Sequence, residues 1–170
     1  SGNQPTATAM YYSIVSLESP MGVVISKNNM LADSVSEKLT GTIDCDGSGF
    51  WVLAHHATQG IFYSYHITPK GISTTPVVST YITDSKNTLG GCMKISPDNS
   101  KIAIASLWKV GGNNQYNSSL SLFNFNASTG EVTNYMQLEK SVGNNSFYYG
   151  VSFSPDNTKL YVTNTEARLI

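Results

Sequence analysis

Charge is scarce in this 170-residue chain: Asp, Glu, Lys and Arg make up only 12% of it, and the formal net charge is -1. A nucleic-acid surface needs clustered Lys and Arg, so composition gives no support for a nucleic-acid partner, nor for an acidic tail. Long apolar runs are lacking too. Nothing approaches the roughly 18 residues of a spanning helix, and no membrane insertion is expected. The opening SGNQPTATAM carries no charged-then-apolar secretion signal, and any such segment would have been removed. Cysteine is limited to Cys45 and Cys92, enough for a single disulfide, and arginine to Arg168.

In place of charge the chain carries Asn, Ser, Thr, Gly and Tyr. This mixture is poor in helix formers, common in extracellular β domains, and leans toward an all-β chain outside the cytoplasm.

The strongest pattern is internal repetition. IDCDGSGFWVLA at 43–54, ISPDNSKIAIAS at 95–106 and FSPDNTKLYVTN at 153–164 align without gaps, at offsets of 52 and 58 residues. Ile43, Ile95 and Phe153 are equivalent, as are Asp46, Asp98 and Asp156, then Phe50, Ile102 and Leu160, then Val52, Ile104 and Val162. Each copy reads as a β-hairpin closed by an Asp-Gly or Asp-Asn turn, because Asp bonds its own backbone and Gly or Asn tolerates positive φ. The second strand of the middle copy, Ile102-Ala103-Ile104-Ala105, has no charge on either side of its pleat. Such a strand is expected to be covered on both faces.

A third stretch follows each full hairpin, FYSYHIT at 62–68 and SLFNFNA at 121–127, then a Gly-containing turn and a fourth stretch. Four strands per roughly 50 residues is the spacing of a propeller blade. The residues before the first copy, MYYSIVSLES and GVVISKN, look like third and fourth strands, and the last copy supplies first and second strands. The expected fold is therefore all-β, a β-propeller fragment of four-stranded antiparallel blades: a half blade at 1–35, blades at 36–88 and 89–147, and a half blade at 148–170 in one partial domain.

The stretch FSPDNTKLYVTN resembles the repeat of YVTN-type β-propellers, literally so at Tyr161-Val162-Thr163-Asn164. The run from SEKLTGTIDCDGSGFWVLAHH through SLFNFNASTGEV to YGVSFSPDNTKLYV is similar to the WD40-like propeller region of large secreted Bacteroidetes proteins associated with gliding motility and type IX secretion. The resemblance covers about residues 10–164 and implies a secreted or cell-surface location. It transfers no catalytic motif. It also implies a larger ring, since closure generally takes at least four blades. Two copies joined through their open blade edges would make a six-blade ring.

In a propeller the Asp turns lie on one face, and the strand-two to strand-three loops and blade connections on the other. The second face gathers His55 and His56, then Trp108, Lys109 and Tyr116 around a Gly-Gly-Asn-Asn run, and Tyr148 after Gly143-Asn144-Asn145. Exposed aromatics among amides and glycines suit a glycan or peptide contact, where rings stack and amides bond hydroxyls. The competing reading makes these aromatics packing and the Asn-Gly runs plain loops.

Other chemistry finds less support. His55 and His56 are adjacent on a strand, so they point to opposite faces and cannot share an ion without a bend. Asp44-Cys45-Asp46-Gly47-Ser48 has the carboxylate spacing of a calcium loop, but its equivalents carry Ser96 and Ser154 in place of Asp44. No metal, cofactor or nucleotide site is assigned, and no GxSxG elbow occurs. The repeat register puts Cys45 and Cys92 at opposite ends of neighbouring strands, about 16 Å apart, and two free thiols are expected. The sequons at Asn117, Asn126 and Asn144 carry no inference in so Asn- and Ser-rich a chain.

These residues favour a non-enzymatic binding or scaffold module contacting glycan or protein. One alternative is part of a propeller enzyme of lactonase or lyase type, whose sites need converging His, Arg and Glu. The other is a purely structural spacer.

Overall fold

The computed structural model describes residues 8–83, 90–110, 115–142 and 146–166. The Gly111–Asn114 and Gly143–Asn145 runs and Arg168 lie outside the described residues. Within them the regular structure is entirely β-strand, and every pairing is antiparallel.

Three sheets form. The first has β1 (Thr8–Ser16), β2 (Val23–Ile43), β3 (Phe50–His56) and β4 (Ile61–Thr68) in sequence order, with β5 (Gly71–Ile72) and β6 (Val77–Thr80) sharing the far edge of β4. The second is a four-stranded meander of β7 (Gly90–Ile95), β8 (Lys101–Val110), β9 (Gln115–Phe125) and β10 (Val132–Ser141). The third is the hairpin of β11 (Ser146–Phe153) and β12 (Leu160–Glu166).

The gapless sequence alignment reappears as a shared register. Ile43 pairs with Phe50, Ile95 with Ile102, and Phe153 with Leu160, so all three hairpins close on the same pair. The turns are built alike. The N–H groups of Asp44, Ser96 and Ser154 donate to the carbonyls of Gly49, Lys101 and Lys159 at 3.0, 2.9 and 2.9 Å. Three residues on, Gly47, Asn99 and Asn157 take φ of 74°, 59° and 61°, the left-handed region that Gly and Asn enter at least cost. The side chains of Asp46, Asp98 and Asp156 each accept the N–H two residues later, from Ser48, Ser100 and Thr158.

The sheets stack face to face. One core joins Trp51, Leu53 and Phe62 of the first sheet to Met93, Ile102, Ile104 and Phe123 of the second. Another joins Ala103, Ala105 and Leu120, on the opposite side of the second sheet, to Val151 and the half-buried Phe153, Leu160 and Val162 of the hairpin. The uncharged β8 is thus covered on both faces, with Ile102 and Ile104 toward one neighbour and Ala103 and Ala105 toward the other.

The first sheet curls on itself. Tyr65 stands on its outer face, opposite Val52, yet is only 1% exposed, and its hydroxyl donates to the Leu31 carbonyl at 2.8 Å. Val52 pairs with Gly41, so a straight β2 would carry Leu31 about 33 Å past that level. The bend falls where the β2–β3 register slips between Val35 and Leu39, beside Ser34 at φ 56°. The stretch of β2 before the bend and its partner β1 therefore fold back over the outer face of the first sheet. The sequence boundary at residue 35 falls inside this one 21-residue strand.

Candidate functional site

At the turn end of the stack, the Asp44 carboxylate is buried and ties the β2–β3 turn to β4 within the first sheet. Its Oδ2 lies 2.9 Å from His66 Nε2 and accepts the Ser48 hydroxyl at 3.3 Å, while Oδ1 is buried without a partner. Burial raises the Asp44 pKa, but hydrogen bonds from His66, the Gly49 backbone, Asp46 and Ser48 outweigh it and leave the pKa lowered. The His66 ring stacks on Trp51 with centroids 4.4 Å apart. Trp51 Nε1–H crosses to the Ala127 carbonyl of the second sheet at 2.8 Å. Ser48 bonds the carboxylate and not the imidazole, so the trio does not form a nucleophile-to-base relay. Its chemistry is that of a buried clasp.

The opposite end holds the sequence candidates. His55 is 2% exposed; its Nε2 meets the Tyr81 hydroxyl at 2.8 Å, its ring edge meets Phe62, and Nδ1 is buried without a partner. Burial, with help from Lys38 and His56, lowers its pKa to about 3, so the ring is neutral at pH 7. Lys38 on β2 is fully buried, and burial lowers its pKa to about 7 against the opposing pull of Glu37. His56 faces the other way, toward Tyr63, and its Nδ1 accepts the N–H groups of Thr58 and Gln59 at 3.1 and 3.2 Å.

On the second sheet, Trp108 is 9% exposed and belongs to the interior. Lys109 and Tyr116 are half-buried and directly opposite each other across β8 and β9. The Tyr116 ring meets Phe147 edge-on at 5.4 Å, and Tyr148, next along β11, packs on the second core. The structure therefore brings Lys109, Tyr116 and the start of β11 together. His55 and Trp108 are interior packing, as the competing reading of the aromatics has it, while His56, Lys109, Tyr116 and Tyr148 keep partial access to solvent.

Both thiols are free: Cys45 is exposed and Cys92 half-buried. Among the described residues no cluster of three or more His, Cys, Asp or Glu could hold a metal. Glu37 was not singled out in sequence. Its Oε1 accepts the Gly91 N–H and the Tyr149 hydroxyl, both at 2.8 Å, and so ties β2 to β7 and β11 across all three sheets. Of Asp44 and Glu37, the former left a faint trace in the sequence. Asp44 departs from the Ser of the other two turns, and a carboxylate substituted at a buried repeat position marks a local bonding task.

No protein-family model matches the chain, and no curated protein matches it.

Proposed function

We propose that the chain is a section of a β-propeller of the YVTN and WD40-like kind, serving as a non-enzymatic binding or scaffold module of a secreted or cell-surface bacterial protein. The observation that supports this is the recurrent hairpin. One turn geometry occurs three times, and the second and third hairpins each pack on the sheet before them in the stack. Such stacking gives a stiff body that presents its loops at fixed positions.

The contact surface is the end carrying His56, Lys109, Tyr116 and Tyr148, and its ligand is a glycan or protein. His55 and Trp108 act beneath it as packing. Binding to a glycan array and to immobilised surface proteins tests the reading, with Tyr116→Ala as the surface variant. A loss of signal of at least tenfold with unchanged thermal unfolding is expected. Binding that Tyr116→Ala and Lys109→Ala leave untouched overturns the placement of the surface.

A further inference from the structure

The positions that face the preceding sheet are filled twice and empty once. Ile95 and Ile102 pack against the first sheet, and Phe153 and Leu160 against the second. Their equivalents in the first sheet are Ile43 and Phe50, which are 43% and 55% exposed, with Leu39 beside them at 56%. The folded-back β1–β2 hairpin shields Tyr65 on β4 but leaves this patch on β2 and β3 open.

The reverse face shows the matching vacancy. Trp51 and Ala103 pack against the following sheet, whereas their equivalent on β12, Tyr161, is 60% exposed. Among the described residues β12 pairs with β11 alone, and β1 with β2 alone. β12 is a second strand without a third. β1, whose Tyr11-Tyr12-Ser13 matches Phe62-Tyr63-Ser64 of β4, is a third strand without a second.

We infer that a second copy of this chain fills both vacancies: the β11–β12 hairpin of each copy docks on the Leu39–Ile43–Phe50 patch of the other, beside its β1–β2 hairpin. Tyr161 then covers Phe50, and β12 pairs antiparallel with β1 of the other copy to complete a four-stranded sheet. The contact is the same kind that the chain already makes twice within itself, so it continues an established packing mode. A two-fold axis makes the exchange reciprocal and closed, which removes four strand edges at once.

The surface beside the patch is apolar as well: nine large apolar side chains between Tyr11 and Met30 are more than two-fifths exposed. The stretch from Tyr11 to Met30 carries only Glu18 and Lys27 as charges, so its burial desolvates few ions.

Light scattering on the purified 170-residue chain at micromolar concentration tests this, with twice the 18.4 kDa chain mass expected. Phe50→Asp and Tyr161→Asp should each weaken the dimer by roughly a hundredfold. Both side chains are exposed in the single chain, so unchanged circular dichroism is expected. Ile82→Asp, 94% exposed and outside both patches, should leave the dimer intact. A monomeric wild type, or a dimer indifferent to both Asp variants, overturns the inference. The inference shares its strand pattern with the propeller reading but not its ligand; a monomer that still binds glycan would sink only the exchange.

Discussion

Gly130 shows how much one absent methyl group can matter. It sits at φ 77° under the Trp51 ring, and a Cβ there would lie 2.5 Å from the indole. Gly130→Ala therefore forces either the backbone or the clasp of Trp51, His66 and Asp44 to move. A loss of about 2–4 kcal/mol is expected from denaturant midpoints. The buried bases supply a second test. Lys38 has a pKa near 7 when folded against 10.5 as reference, so between those values the unfolded chain holds the extra proton. Stability rises with pH across that window and is lost as pH falls from 10.5 to 7, by an amount on the order of a few kcal/mol. His55, near 3 instead of 6.5, adds a loss of the same sign between pH 6.5 and 3. Thermal midpoints recorded from pH 10.5 to 4 should show both falls; Lys38→Met should remove the upper one and, by taking a positive charge away from His55, shrink the lower one in part. At this scale the Asp turns were legible because backbone geometry restricts their chemistry. Burial of Lys38 was not, because a lone Lys between Glu37 and Leu39 looks like surface.

β8 was the element most open to sequence reading. Its uncharged run left no side that could face water, and the two cores confirm the consequence residue by residue. Its inner alanines also set a spacing, since Ala103 and Ala105 are fully buried against the hairpin. Ala105→Leu is expected to push the hairpin off by overpacking, at a cost of about 1–3 kcal/mol, whereas Ile104→Val should cost about 1 kcal/mol or less. Urea midpoints of the two variants check the contrast. What sequence could not reveal was β2. Its bend at Ser34 comes from a register slip and one positive φ, neither of which has a composition signature. Trp108 illustrates the same limit for the candidate site. An aromatic next to Lys and Gly reads identically whether it lines a surface or, as here, fills the interior.

For the whole molecule, repetition announced the stack before any coordinate did, because identical hairpins with two apolar faces have few ways to hide them. The proposed exchange between copies is a different matter, since it depends on what meets the patch at Phe50 and the face of Tyr161. That is why mass in solution, more than any single substitution, tests it. The uninterrupted course of β2 has a mechanical corollary. One backbone serves both the folded-back hairpin and the body of the first sheet, so a displacement of the hairpin is passed directly to the β2–β3 ladder. Because β1 and β2 are consecutive antiparallel strands, tension applied along the chain would peel their ladder one hydrogen bond at a time from the Thr8 end, and the amides of β2 before the bend should exchange with deuterated solvent sooner than those paired with β3.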